Sequence, residues 1–125
     1  MYRLPVYAAC VTHQPLREPT LLILTALAGR PQHGYSLMQD VDAISQGRVR
    51  LRAGTLYGAL DRLLKEELVR VEEEAVVEGR LRRTYALTEA GSQVLAAEAE
   101  RLRSTADEAT RRLAVTFPRL HGATG

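Results

Sequence analysis

Arginine forks at alternate positions are the first chemistry this chain offers. Arg48, Arg50 and Arg52 are separated by Val49 and Leu51. That alternation predicts a short strand with three guanidinium groups on one side and two apolar side chains on the other. A guanidinium binds phosphate and guanine through paired N–H donors. The run leads into residues 52–66, where Leu56, Leu60, Leu63 and Leu64 recur at helical spacing and should be buried together. The opposite face carries Gly54, Thr55, Gly58, Asp61, Arg62 and Lys65, with Tyr57 at its edge. Each glycine costs a helix roughly 0.8–1.0 kcal/mol against alanine. What glycine offers in return is close approach of the backbone to another body. A stripped helix face flanked by Arg52, Arg62 and Lys65 is shaped to enter a DNA major groove. The alternative is a surface helix with two indifferent glycines, and the surroundings decide between them.

Other candidate chemistry is thinner. Cys10-Val-Thr-His13 has a spacing that could ligate a metal, but zinc needs three or four ligands and only His33 and His121 remain as histidines. An ordinary thiol beside an ordinary imidazole is the better reading, so no metal is assigned. His33 reads as a capping or packing residue, because no nucleophile or paired acid lies near it in sequence. No nucleophile–base pair and no glycine-rich phosphate loop is found, which argues against an enzyme and against a bound cofactor.

The chain of 125 residues is long enough for one domain with an appended helix. With 46% hydrophobic, 26% charged and 5% aromatic residues it reads as a Leu/Ala-rich, mainly helical globular protein. No run of about 18 apolar residues predicts a membrane span, and the N-terminus lacks the basic-then-apolar order of a secretion signal. The net charge of +2 is mild, but Lys65 is the one lysine among 17 Lys and Arg. Arginine enrichment also follows genome base composition. Cys10 is the one cysteine, so no internal disulfide can form, consistent with a reducing cytoplasm.

Residues 1–17 follow no clean period and predict an N-terminal arm or short helix. Pro19 suits the first turn of a helix, with Glu18 at its positive end. Leu21, Leu22, Leu24, Ala26, Leu27 and Ala28 make that helix apolar nearly all round, hence central, and Gly29 and Pro31 end it. A second helix opens at His33-Gly-Tyr35, with Tyr35, Leu37, Met38, Val41 and Ile44 as its apolar stripe and Ser45-Gln-Gly47 as its stop. After the glycine-notched helix, Leu68–Val71 and Arg80–Leu87 predict two strands joined by a turn region over Glu72–Gly79. Arg80 and Arg82 project from the face opposite Leu81 and Tyr85. A basic hairpin beside a groove-shaped helix is the wing of a winged helix-turn-helix, here over residues 18–87.

Thr88 caps a last helix, residues 88–117, about 40 Å long and too long to pack wholly on so small a domain. Leu95, Ala99, Leu102, Ala106, Ala109 and Leu113 recur at spacings of four and three, the seam of a helix–helix pair. A helix folded back on its own domain is the alternative to pairing with a second copy. Residues 118–125 are expected to be a disordered tail.

Taken together, Pro19-Thr-Leu-Leu-Ile-Leu-Thr-Ala-Leu27, His33-Gly-Tyr35, Gly54-Thr-Leu-Tyr-Gly-Ala-Leu-Asp-Arg-Leu63 and Arg82-Arg-Thr-Tyr-Ala-Leu-Thr-Glu-Ala-Gly91 resemble the PadR family of transcriptional regulators. The resemblance runs from about Pro19 to Leu95, and the short tail is similar to the subfamily with one C-terminal helix. It implies a homodimeric winged-helix repressor, with Thr55 and Tyr57 at the DNA face, wing arginines on the DNA backbone, last helices clasped between subunits, and release by a small aromatic effector. There is no tryptophan to sandwich such a compound, so tyrosines or Phe117 would have to serve. Three departures stand out. Glu67 occupies a position where members usually carry glycine, Thr84 one often held by an aromatic, and the wing turn is acidic with Glu72, Glu73, Glu74 and Glu78.

The expected partners are therefore double-stranded DNA and a second copy of the chain. Arg48, Arg50, Arg52 and Arg82 are expected on phosphates, with Arg80 and Arg83 beside them on the strand end and Lys65 on the helix. Thr55, Tyr57, Gly58 and Arg62 are expected near base edges. Asp61 either accepts from a cytosine amino group or pairs with Lys65 one turn on. The competing class is a winged-helix protein-interaction module without DNA binding, which the acidic wing and Asp61 favour.

Overall fold

In the computed structural model, which describes residues 15–119, a mainly helical winged helix-turn-helix carries a small antiparallel sheet. Helix α1 (Glu18–Gly29) has Pro19 in its first turn and Glu18 at its positive end, and it buries Leu22, Ile23, Leu24, Ala26 and Leu27. This helix is the centre of the core, as its all-round apolar character requires.

Strand β1 (Gln32–His33) is two residues long, too short to leave a periodic signal. It pairs with Tyr85 and Thr84. Gln32 is buried, and its amide is fully used. Nε2 donates to Ala26 O at 3.1 Å and Asp40 Oδ2 at 2.8 Å, while Oε1 accepts from Ser36 Oγ at 2.6 Å.

Helix α2 (Gly34–Ile44) buries Leu37 and Val41. Two members of its expected apolar stripe point outward: Tyr35 is 63% and Ile44 40% exposed. The stripe that reaches the core runs through Gly34, Leu37, Met38, Val41 and Ser45, which puts Tyr35 on the rim and leaves Ile44 beyond it. The helix stops with Gln46 and Gly47 both at positive φ, and with Gly47 N–H donating to Asp42 O at 2.8 Å.

Residues 48–52 form no strand. The predicted alternation is present, since Val49 and Leu51 pack on the core and the three arginines are exposed. Among the described residues no neighbouring strand offers a ladder to this segment. Ser45 Oγ takes the Val49 N–H at 3.0 Å instead and fixes the run as extended coil.

Helix α3 (Ala53–Lys65) buries Leu56, Ala59, Leu60 and Leu63. It ends although glycine is missing at the stop. Glu67 itself takes the left-handed conformation, φ 62, with Glu67 N–H on Leu64 O and Leu68 N–H on Leu63 O.

Strands β2 (Val69–Val77) and β3 (Arg80–Leu87) complete a sheet of order β1-β3-β2. The expected turn over Glu72–Gly79 shrinks to Glu78-Gly79, both at positive φ as a two-residue hairpin turn requires. The glutamates lie in the ladder: Glu74 is directly across from Arg83 and ion-paired with it, Glu73 is across from Thr84, and Glu72 pairs with Arg70 of its own strand. A bulge at Glu72 shifts the register between Val71 and Glu73.

Helix α4 (Glu89–Thr116) starts from Thr88, whose hydroxyl accepts from Gly91 N–H at 3.0 Å and donates to Glu67 O at 2.7 Å. Its first half packs on α1 and β3, and the remainder of its 28 residues extends past the domain. Of the expected tail, Pro118 and Arg119 are described and helical. The rest of the tail, residues 1–14 of the expected arm over 1–17 and the Cys10–His13 pair lie outside the described residues, and residues 15–17 are coil. No helix among the described residues is long and apolar enough to cross a membrane.

Candidate nucleic-acid interface

The exposed face of α3 is bare by construction. Gly54, Thr55, Gly58, Asp61, Arg62 and Lys65 are all exposed. A β-carbon added at Gly54 or Gly58 would meet nothing within 4 Å. The two glycines are therefore not required by packing within the chain, although each weakens the helix. Other glycines answer to the fold. A β-carbon at Gly91 would lie 2.1 Å from Leu68 O, and one at Gly34 would lie 2.0 Å from the Tyr57 hydroxyl.

Tyr57 thus leans off the outer face of α3 and onto the first residue of α2. It lines a groove of about 630 Å³ between α2, α3 and the hairpin, together with Tyr35, Asp61, Leu81, Arg82 and Tyr85. Burial pushes the Tyr85 phenol above its ordinary range, against the opposing pull of Arg83 beside it. His33 caps α2 by accepting from Ser36 N–H at 3.4 Å on Nδ1. Burial lowers its pKa, and Arg82 and Arg30 lower it further. A neutral ring is what an accepting Nδ1 needs. Of the capping or packing role expected for His33, capping is the one it has.

The cations divide into two groups. Arg48 is ion-paired with Glu18, Arg50 Nε lies 3.7 Å from Asp42 Oδ1, and Arg83 Nε donates to Glu74 Oε2 at 2.9 Å. Arg52, Arg62, Lys65, Arg80 and Arg82 are exposed and, among the described residues, have no carboxylate within 4.0 Å. Asp61 accordingly makes no ion pair with Lys65. The chain's own acids hold three of the predicted phosphate contacts and leave the others open.

Along α4, Leu95 is half-buried against its own domain core. Ala99, Leu102, Ala106, Ala109 and Leu113 are exposed, with Leu102 at 40% and Leu113 at 45%. Sequence reasoning missed Glu98, which is 6% exposed on the same helix. Its carboxylate accepts from Leu16 N–H at 3.3 Å and from Arg101 at 2.6 Å and 3.1 Å. The Arg101 hydrogen bonds hold its pKa below the usual carboxylate range. The sequence signal is slight: Glu98 lies one turn from the half-buried Leu95, but Leu102 one turn further on is exposed.

Comparison with known proteins bears on the same residues. The model of the Transcriptional regulator PadR-like family matches residues 23–97. The chain is similar to an uncharacterized 37.1 kDa protein in transposon TN4556 of Streptomyces fradiae, 43% identical over 82 residues, which cover 66% of this chain and 22% of that protein. It therefore spans about a fifth of that relative's length. It is similar to transcriptional regulator Rv3488 of Mycobacterium tuberculosis, 39% identical over 88 residues, covering 70% of this chain and 78% of that one. Among solved structures it is similar to a PadR-like transcription factor from Bacteroides fragilis, with a TM-score of 0.60, 26% identity, and coverage of 76% of this chain and 88% of that one.

Proposed function

This chain belongs to the PadR-like family of transcriptional regulators, and from that membership we propose that it is a cytoplasmic repressor that binds a pseudo-palindromic operator as a homodimer. Members of the family regulate transcription and are not enzymes. The observation that carries the reading is the outer face of α3. It presents Gly54 and Gly58 with open space above them, beside Arg52, Arg62 and Lys65 without carboxylate partners among the described residues. In this reading α3 enters the major groove. Thr55, Gly58 and Arg62 approach base edges, with Tyr57 beside them at the wing side. Arg48, Arg50, Arg52, Lys65, Arg80, Arg82 and Arg83 lie along phosphates.

The exposed stretch of α4, with Ala99, Leu102, Ala106, Ala109 and Leu113, pairs with the same helix of a second copy. The two α3 helices then stand about 34–36 Å apart, one turn of DNA. Bound at a promoter, such a dimer blocks polymerase. A small aromatic effector releases it by binding more tightly to a dimer geometry in which that spacing is wrong.

The test is a gel-shift titration against salt, using a duplex from the promoter adjoining the gene. Affinity should fall with a log–log slope of about 0.9 for each phosphate contact. Arg52→Gln should flatten the slope by roughly one unit. Binding indifferent to salt, or to the loss of Arg52, overturns the reading. A second reading, a protein-interaction module, draws support from the exposed Glu72, Glu73 and Glu74 of the wing. Capture of a partner protein unaffected by added duplex would favour it.

A further inference from the structure

We propose that Glu18 and Asp42 are carboxylate clamps that make Arg48 and Arg50 conditional phosphate contacts, leaving Arg52 as the member of the run that engages any duplex. This rests on the DNA-binding reading above. The three arginines alternate along one extended segment and are all exposed, yet they are held unequally. Arg48 Nη1 donates to Glu18 Oε2, Arg50 Nε stands 3.7 Å from Asp42 Oδ1, and Arg52 has no carboxylate within 4.0 Å among the described residues. Restraint falls step by step toward the first turn of α3.

The backbone beneath them cannot supply the difference. Val49 and Leu51 are packed on the core, and Val49 N–H is bonded to Ser45 Oγ at 3.0 Å. What can change is the partner of each guanidinium. The clamping acids come from other elements, Glu18 from the first turn of α1 and Asp42 from the last turns of α2. A duplex that is only passing offers a phosphate at no fixed position, and an arginine already paired gains little by leaving its acid. With α3 seated in its groove, phosphates are held in place and the exchange is favourable.

Ion pairs of this exposure are weak, so each clamp lowers affinity by about two- to five-fold rather than abolishing a contact. The result is a protein whose electrostatic footprint is smaller on random DNA than on its operator. That shortens its stay on the wrong sequence.

The experiment measures salt slopes on a random-sequence duplex for the full-length chain and for Glu18→Gln and Asp42→Asn. Each substitution should steepen the random-duplex slope by about 0.9 and raise affinity about two- to five-fold. Arg48→Gln should have little effect on random-duplex binding in the native background and should abolish the gain in the Glu18→Gln background. Unchanged slopes in both acid variants, or an equal loss from Arg48→Gln in both backgrounds, overturns the clamps while leaving DNA binding intact. A native chain with no salt-dependent binding to either the promoter duplex or the random duplex overturns both readings.

Discussion

The Tyr57 phenol lies over Gly34 so closely that a β-carbon at position 34 would stand 2.0 Å from its hydroxyl oxygen and 2.7 Å from the ring carbon that bears it. One contact thereby joins α2 to α3 at the mouth of the groove and explains why glycine follows the capping His33. Because Tyr57 is 44% exposed, its ring has room to move. Gly34→Ala should therefore displace the ring at a loss of about 1 kcal/mol, the low end for overpacking. Urea denaturation reads the loss, and the operator gel shift reads whether the displaced ring weakens binding. Tyr57→Phe in the same background should not restore stability, because the clash includes the ring carbon. Restoration would show that the hydroxyl alone is at fault.

Gly91 poses the harder version of the same problem. Its missing side chain faces Leu68 O, a backbone atom tied into the Thr88 N–H hydrogen bond at 3.1 Å. Nothing there can swing aside. Gly91→Ala should lower stability by about 3 kcal/mol or more, at the upper end for overpacking, and should reduce the soluble yield. A variant melting within a degree or two of the native chain would mean that α4 can shift on β3 without loss.

Glu67 holds a conformation that suits glycine, φ 62, at the end of α3. Relieving a left-handed non-glycine residue gains about 1–2 kcal/mol, partly offset by the greater freedom of glycine in the unfolded chain. Glu67→Gly should thus raise the urea midpoint by the equivalent of about 1 kcal/mol. Its side chain is exposed, so DNA affinity should change little. A lowered midpoint would show that the Thr88 hydroxyl bond to Glu67 O depends on the glutamate backbone being stiff.

Glu98 gives the chain an acid-sensitive joint between its first described residues and α4. Arg101 and the Leu16 N–H favour the ionised carboxylate, so its folded pKa lies below the ordinary 4.5. Its contribution to stability is complete above pH 4.5 and is lost as pH falls through the lowered pKa. Thermal melts should fall more steeply below pH 4.5 for the native chain than for Glu98→Gln. Parallel curves would remove Glu98 from the acid response.

The sequence was most legible where one period ran long enough to be counted. Leu56, Leu60 and Leu63 fixed the buried side of α3, and with it the glycines and cations left outside. The wing is harder, because three consecutive glutamates suit a turn, and the arginine that faces Glu74 stands nine positions further on. Residues 48–52 show the reverse case: the alternation was correct for burial, but a strand also needs a neighbour, and that information lies elsewhere in the chain. The two residues of β1 carry no period at all. Tyr35 and Ile44 followed helical spacing, yet the stripe that reaches the core passes through Gly34 and Ser45 instead. The contact of Tyr57 with Gly34, and the pairing of Arg48 with Glu18 across thirty positions, depend on how whole helices cross, which no local pattern encodes.

The long rod of α4 leaves the domain from a fixed root, held by Gly91 against a carbonyl and by Glu98 against the segment before α1. A stiff bar anchored at one end works as a lever. A slight tilt at the root is multiplied by the bar's length before it reaches Leu113, so minor repacking near Gly91 arrives at the far end as a large displacement.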